Sequence, residues 1–455
     1  MHFIKNFILL AGDVFFLYAA LIISLLVRYF GDPFLTRKLE VHLPVFSVVF
    51  VFWLLFFGAA GLYDLRLIKN SKNFLYRLVR AMLINTILAV VIFYTFPLQL
   101  EPRRNLLLIA ILSTALIFSW RYLFNLLVIR ASSSRVLFLG LNKEVADLAE
   151  FLTKNRQLGQ IPVGIASARQ KIQDISFSFP VYSLDEKGDL NKLAREKKVD
   201  TVVITPEIRE SKKTVKELMM AASGGILVTD FSNFYETLTG KITLSLIKET
   251  WFLDNLIGFK KKTYEFPKRV LDIILASVFG VLAAIIFPLV ALAIKIESKG
   301  PIFFKQARVG KNKKEFKIIK FRSMVAEAEK MGDFKGNGKD ARHTGVGKFL
   351  RKSYLDELPQ VVNVLKGEMS FIGPRPERPK YVEELSQKVP FYEMRLLVQP
   401  GITGWAQINM ENDASVEDAA EKMQYDLYYV KNRSLVLDLL VSLRTVYILL
   451  RRKGR

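Results

Sequence analysis

A chain of 455 residues, 51% of them hydrophobic and 35 of them phenylalanine, is too apolar for a wholly soluble protein and long enough for two to four domains. The absence of cysteine excludes disulfides, thiolate zinc sites and cysteine nucleophiles, and His2, His42 and His343 are too scattered for an imidazole metal site. The formal charge of +23 suits nucleic acid or an anionic lipid surface; the apolar segments described next decide for the lipid surface and phosphorylated substrates, with no nucleic-acid partner.

Four apolar stretches lead the chain, at residues 7–30, 44–63, 78–98 and 105–128. Each approaches the ~20 residues that a helix needs to cross a bilayer, which predicts a four-helix transmembrane domain over residues 1–131. The first has no small-residue cleavage site before polar sequence, so it reads as a span and not as a signal peptide. It carries Asp13, and the fourth carries Arg121; inter-helix contact, function and an interfacial position are all open for them. Arg66, Lys69, Lys72, Arg77 and Arg80 follow the second span, against Arg37 and Lys38 after the first and Arg103 and Arg104 after the third. The positive-inside rule therefore places both ends of the four-helix unit in the cytoplasm.

Residues 132–261 read as a soluble α/β domain. RVLFLG at 135–140, VDTVVITP at 199–206 and GILVTD at 225–230 are buried-strand runs, with a helical pattern at 143–154. The arrangement is Rossmann-like but degenerate. Leu141 and Asn142 follow Gly140 where a dinucleotide turn needs further glycine, so close backbone approach to a pyrophosphate is not provided for.

A second membrane element follows at residues 270–294. It is long enough to cross, yet Lys260, Lys261, Lys262, Lys268 and Arg269 precede it, and Lys295, Lys299, Lys305 and Arg308 follow it. Both ends prefer the cytoplasmic side, and Pro288 removes a helical hydrogen bond within it. A bent, re-entrant helix over about residues 268–295, broken at Pro288, is favoured over a fifth span. Beyond it, FKIIKF alternates like a strand and ends in KFRSM at 320–324, and a loop rich in glycine and charge at 331–345 is suited to closing over a substrate. LVLDLLVSLRTVYILL at 435–450 reads either as an amphipathic helix on the anionic leaflet or as a core helix with a basic tail.

The chemistry concentrates between residues 340 and 377. Asp356 and Glu357 are adjacent carboxylates, preceded by Arg342, Lys348, Arg351 and Lys352 and followed by a Gly-Pro-Arg-Pro turn. An Asp-Glu pair before proline is by default a solvated helix start. Amid cations the pair suits phosphate work, and Arg351 close by is expected to keep the aspartate ionised, as a nucleophile or a metal ligand.

Together KRVLDIILASVFGVLAAIIFPLVALAIKIESKGPIFFKQARVG, FKIIKFRSM, RKSYLDELPQVVNVLKGEMSFIGPRPE, VQPGITGWAQIN and YDLYYVKNRSLVLD resemble the bacterial sugar transferase family, over roughly residue 266 to the end. These are monotopic polyprenyl-phosphate hexose-1-phosphate transferases; the leading spans and the Rossmann-like domain look like the long-form subgroup, which primes exopolysaccharide, capsule or O-antigen synthesis. The resemblance implies a catalytic phosphoglycosyl transferase domain at residues 262–455, with a re-entrant helix broken at Pro288. It implies transfer of a hexose 1-phosphate from a UDP-sugar, glucose first and galactose second, to undecaprenyl phosphate, with release of UMP. It assigns Asp356 as the nucleophile, Glu357 as the Mg²⁺-binding carboxylate, Lys320 and Arg322 of KFRSM and Arg351 as phosphate-holding cations, and Arg375 as a substrate contact. A homodimer through the spans or the α/β domain fits the same reading.

Two positions depart from the family's pattern. Gly345 stands where a basic residue is common, and Tyr354 where a small polar one is. A membrane-bound nucleotide-sugar dehydratase or epimerase is the first rival; it requires an intact glycine turn and a Tyr-x-x-x-Lys pair. The candidate pair Tyr264 and Lys268 has Pro267 inside it and abuts the membrane element. The second rival is a non-enzymatic scaffold whose cations dock on lipid head groups. It gives no reason for DE, KFRSM and GPRP to occur together.

Overall fold

The computed structural model describes residues 2–64, 71–95, 103–131, 133–167, 179–183, 190–206, 208, 212–246, 262–325, 342–410 and 416–450. Arg66, Lys69, Lys260, Lys261, residues 331–341 of the glycine-rich loop and the basic tail at 451–455 lie outside them. The chain separates into two compact units, Met1–Thr239 and Gly240–Arg455.

The first unit begins with α1 (His2–Arg28), α2 (Leu35–Ala59), α3 (Lys72–Thr95) and α4 (Arg103–Ala131), each with a stretch long and apolar enough to cross a membrane. Pro44, where hydropathy places the start of the second span, lies inside α2. Hydropathy marks where apolar sequence begins, whereas hydrogen bonding carries a helix past that point. Asp13 and Arg121 meet. Arg121 Nη2 donates to the Asp13 carboxylate and Nη1 to the Leu62 carbonyl, and the guanidinium lies 5.2 Å from the Tyr63 ring centroid. Both side chains of the pair are wholly buried, so it is an inter-helix contact between α1 and α4. A second polar link joins α2 to α3: Trp53 Nε1 donates to the Asn85 carbonyl (3.0 Å), and Asn85 Nδ2 to the Trp53 carbonyl (3.3 Å).

The α/β part of this unit is a five-stranded, all-parallel sheet in the order β3-β2-β1-β4-β5. Its strands are β1 (Ser134–Leu139), β2 (Gln160–Ser167), β3 (Val181–Ser183), β4 (Thr201–Ile204) and β5 (Leu227–Asp230). Helix α5 (Lys143–Lys154) buries Val145, Leu148, Ala149 and Leu152, the spacing of one helical face. Helices α6 (Leu190–Glu196), α7 (Lys212–Ser223) and α8 (Phe231–Thr239) complete the unit.

The turn after β1 shows what became of the nucleotide motif. Gly140 has φ +103, and a Cβ there would lie 2.1 Å from Thr205 Oγ1, just past the end of β4. Only glycine fits. Asn142 then caps α5, its side chain accepting from the Val145 N–H at 2.8 Å. A donor at the helix N-terminus that faces phosphate in a dinucleotide turn is thus taken by the chain's own amide.

The second unit opens with α9 (Lys262–Glu297), a helix assigned without interruption through Pro267 and Pro288. Its most apolar window has a mean hydropathy of 2.8 and is only 6% buried, against 33–39% for the four bundle helices. By length and composition it too can cross a membrane. It is followed by the antiparallel hairpin of β6 (Phe303–Val309) and β7 (Glu315–Phe321), then α10 (Gly345–Lys352), a 3-10 turn (Leu355–Gln360) and α11 (Val361–Lys366). β8 (Ser370–Ile372), α12 (Pro379–Lys388), β9 (Gly401–Thr403, parallel to β8), α13 (Trp405–Asn409), α14 (Val416–Asn432) and α15 (Leu435–Leu450) complete it. One core joins Ala276 of α9 to Phe316, Ile318, Val361, Val364 and Met369; another joins Ile294 to Phe321 and Leu350. α15 has two faces. Asp438, Val441 and Tyr447 are buried, while Val436, Leu439, Val446 and Leu449 are exposed.

Candidate active site

The hairpin sets the first site residue. Side chains alternate along β7, so Phe316 and Ile318, packed in the core, share a face with Lys320. Lys320 is the last of the three, and its Nζ donates to Glu357 Oε1 at 2.7 Å. The free edge of β7 is closed by a side chain. Asn363 Oδ1 accepts from the Ile319 N–H (3.1 Å), and its Nδ2 donates to the Lys317 carbonyl (2.9 Å) and to Glu368 Oε2 (2.7 Å). Asn363 is fully buried and ties the strand carrying Lys320 to the helix that follows the dyad. Sequence reasoning passed over it; the signal was a lone amide inside the apolar run VVNVL.

Helix α10 brings the chain to the dyad, and its N-terminus is fixed from two sides. Glu297, the last residue of α9, accepts from the Gly345 N–H (2.5 Å) and the Val346 N–H (2.8 Å), while Thr344 Oγ1 accepts from the Gly347 N–H (2.9 Å). Gly345, the departure from the family's basic residue, thus sits against a carboxylate. A Cβ at Gly347 would lie 1.9 Å from the Ser323 carbonyl, so only glycine lets α10 close on KFRSM. At the other end Tyr354, the second departure, takes φ 56 and ψ 14 and turns the chain into the 3-10 segment that presents Asp356 and Glu357. Left-handed backbone costs a non-glycine residue about 1–2 kcal/mol, and such strain collects at functional turns.

Arg375 completes the contacts of Glu357, its Nη2 donating to Oε1 at 3.0 Å. The turn that carries it is gripped from behind. Arg395 Nη2 donates to the Arg375 carbonyl (2.8 Å) and pairs with Asp426 (2.8 Å), Arg308 Nη1 donates to the Pro376 carbonyl (2.9 Å), and Lys422 Nζ donates to Glu377 (2.7 Å). Arg395 and Asp426 are positioning residues that no local motif announces. Arg351 lies on α10 beside His343: its Nη1 bonds His343 Nε2, and His343 Nδ1 bonds the Ser323 carbonyl at 3.2 Å.

The structure does not bring Arg322 into this cluster. Its Nη1 donates to the Lys299 carbonyl (2.9 Å) and its Nη2 to the carbonyl (2.7 Å) and Oγ (2.8 Å) of Ser298. β7 ends at Phe321, so the alternation that aims Lys320 stops before Arg322, which braces the end of α9 instead. Pro288 lies within α9, in the membrane element and not at the dyad.

Electrostatics divides the dyad. Burial raises Asp356, and the adjacent Glu357 adds to the rise, to about 6, against the opposing pull of Lys320, Arg351 and Arg375. Dehydration of the carboxylate outweighs the neighbouring cations and lifts it above its ordinary range, yet at about 6 the ionised form expected beside Arg351 still dominates at neutral pH. Burial also works against the charge of Glu357, but Arg375 and Lys320 overcome it and hold that carboxyl well below the usual carboxylate range. Burial pushes Lys320 down, offset in part by Glu357. One carboxyl is locked as an anion and its neighbour titrates near neutrality, an arrangement that separates roles. Among the described residues no three metal-ligating side chains gather.

A strained turn presents one titrating and one fixed carboxylate within reach of three cations, in the unit that carries the long apolar helix α9, an arrangement chemically able to hold phosphate. The family description Bacterial sugar transferase matches residues 263–452, and CoA-binding domain matches residues 58–223. The chain is 41% identical over 231 residues to the UDP-N-acetylgalactosamine-undecaprenyl-phosphate N-acetylgalactosaminephosphotransferase of Aeromonas hydrophila, covering 50% of this chain and 53% of that protein. It is 42% identical over 184 residues to the UDP-glucose:undecaprenyl-phosphate glucose-1-phosphate transferase of Escherichia coli K12 (40% and 39% covered). It is 40% identical over 184 residues to the protein of the same description from Caulobacter vibrioides (40% and 69% covered). The matches span about half the length of the Aeromonas relative and less of the Escherichia one. The chain belongs to the bacterial sugar transferase family.

Proposed function

We propose that the protein transfers a sugar 1-phosphate from a UDP-sugar to undecaprenyl phosphate at the cytoplasmic face of a bacterial inner membrane. The observation that carries this is the divided dyad: Asp356, titrating at about 6, is largely ionised at pH 7 and yet poorly solvated, as a nucleophile should be. An Asp356 carboxylate oxygen attacks the sugar-bearing phosphorus, the bond to the bridging oxygen breaks, and UMP leaves with that oxygen. A phosphate oxygen of the lipid then attacks the same phosphorus and breaks its bond to Asp356, giving the lipid diphosphate sugar and the free carboxylate. Arg375, Lys320 and Arg351 hold phosphate oxygens and stabilise their charge; Arg375 and Arg351 can do so through paired donors.

The donor set fits Mg²⁺ held through Glu357. Both cation bonds to that side chain fall on Oε1, and Oε2 takes no hydrogen bond among the described residues. Mg²⁺ needs only one or two carboxylates when substrate phosphates and water supply the remainder, and when bound it supplies charge neutralisation for the phosphates. The exposed apolar face of α9 enters the membrane, and the exposed face of α15 rests on the leaflet. α9 is continuous through Pro288, where the sequence predicts a break, so a re-entrant path requires it to bend there within the bilayer. The relatives named above act on glucose and N-acetylgalactosamine donors, so UDP-glucose and UDP-N-acetylgalactosamine are the first to test, with UDP-galactose third.

Purified protein in lipid nanodiscs should release UMP from one of these donors, and intact-mass measurement without acceptor should show a sugar-phosphate adduct on Asp356. Asp356→Asn should abolish both while inserting normally; unaltered turnover in that variant overturns the assignment. A cysteine placed after Ile294, in a chain with no native cysteine, should be labelled from the cytoplasmic side, and periplasmic labelling overturns the re-entrant helix.

A further inference from the structure

Away from the dyad, the second unit holds a cavity of about 210 Å³ beside the first turns of α9. That is many times the roughly 10–15 Å³ that one water needs on the same measure, so the space admits a polyatomic group. Asp356, Glu357, Lys320, Arg351 and Arg375 do not line it. Four cations do, Lys268, Arg269, Lys311 and Arg433, with Glu265 among them.

These charges are unevenly matched. Lys268 lies 3.1 Å from Asp438 and 3.6 Å from Asp272. Asp438 also accepts from the Tyr264 hydroxyl (2.8 Å) and the Tyr429 hydroxyl (2.9 Å), and Asp272 accepts from Ser370 Oγ and the Phe371 N–H, both at 3.1 Å. Arg433 faces Glu265 at 3.5 Å. Arg269 donates only to carbonyls with no formal charge, those of Val364 (2.6 Å) and Leu365 (2.8 Å). Lys311, in the turn between β6 and β7, has no carboxylate within ion-pair distance among the described residues. Among the described residues Arg269 and Lys311 have no carboxylate within ion-pair distance, two cations beside the cavity to which a phosphodiester can bind.

The surroundings indicate which phosphodiester. Phe266, next in the chain to Glu265, is 76% exposed, and Val436, in the first turn after Arg433, is 78% exposed. The apolar surface of α9 begins at Val270. Cations and tyrosine hydroxyls beside exposed apolar side chains are the composition of a bilayer interface. We propose that this cavity is a second phosphate site, separate from the catalytic one, which takes the phosphodiester head group of a membrane phospholipid. The inference rests on the membrane placement of α9 and not on the transfer reaction.

The test uses the full chain, delipidated in neutral detergent, with phosphatidylglycerol or inorganic phosphate added back, followed by native mass spectrometry and thermal melting. Phosphatidylglycerol should remain bound at one copy and raise the melting temperature. Lys311→Glu, in an exposed turn, should weaken that binding roughly tenfold, the loss of about one charge-assisted contact, while UMP release is unchanged. Arg269→Gln should weaken it similarly if the variant melts as cooperatively as the parent. Retention of the lipid by both variants at parental affinity, or no retained lipid at all, overturns the proposal. Equal protection by inorganic phosphate alone overturns the lipid assignment in favour of a soluble phosphate. Failure of sugar transfer with lipid binding intact would leave this site standing and count only against the catalytic reading.

Discussion

The bundle and the catalytic unit each bury a carboxylate against arginine, and they do so to opposite ends. Asp13 and Arg121 form a one-to-one pair with no exposure, the second terminal nitrogen of the guanidinium turned to a backbone carbonyl. At the dyad, among the described residues, two carboxylates share Lys320, Arg351 and Arg375, and one of the acids is pushed towards neutrality. A matched pair in the interior specifies which helices meet. An unmatched cluster calls for a further anion, and a phosphate is that anion.

Breaking the matched pair should have the largest effect. Asp13→Leu leaves Arg121 charged and dehydrated, a loss of about 3–5 kcal/mol; adding Arg121→Met should restore most of it in thermal melts of the full chain. A double variant no more stable than the single would mean that the pair is not an architectural contact.

The unmatched cluster should respond in the reverse sense. The raised acid of Asp356 means that its charge destabilises the fold above pH 6 and that this cost disappears as pH falls through 6 towards the unfolded value of 3.8. Asp356→Asn should therefore stabilise the inactive protein by roughly 1–3 kcal/mol at pH 7.5, with no gain near pH 4. A variant less stable than the parent at pH 7.5 would contradict the burial argument. For the parent, UMP release under subsaturating donor should fall about tenfold per pH unit below 6, as the nucleophile protonates. A flat profile down to pH 5 would remove Asp356 from the chemical step. The smallest effect concerns the turn: Tyr354→Gly should relieve left-handed strain and add about 0.5–1 kcal/mol, with kcat lowered if the strain aims the dyad.

What the sequence revealed and concealed follows from the range of each interaction. Asp356, Glu357, Lys320 and Arg375 were visible because their motifs are short and chemically unusual. Arg322 was grouped with them because a sequence does not show that β7 ends one residue earlier, at Phe321. The rise in the Asp356 pKa was not legible, since neighbouring charges can be read from a string and burial cannot. Arg395, in the 3-10 turn Tyr392–Leu397, reaches the Arg375 carbonyl and pairs with Asp426 of α14, contacts that only packing creates. In the sheet, β1, β4 and β5 were legible as continuous apolar runs. β2 was not, with Pro162 and Gly164 inside it and a register shift opposite, and β3 is only three residues long.

Glu297 ends α9 and holds the first amides of α10, while Arg322, just past the end of β7, grips the two residues beyond it. Among the described residues, hydrogen bonds thus join the end of α9 directly to the segment that leads to the dyad. On the proposed membrane placement of α9, acyl-chain length becomes a mechanical input: a bilayer too thin or too thick for α9 is expected to shift its last turn, and the dyad with it. Turnover in nanodiscs of graded lipid length would trace that coupling as an optimum, and Glu297→Gln should flatten it.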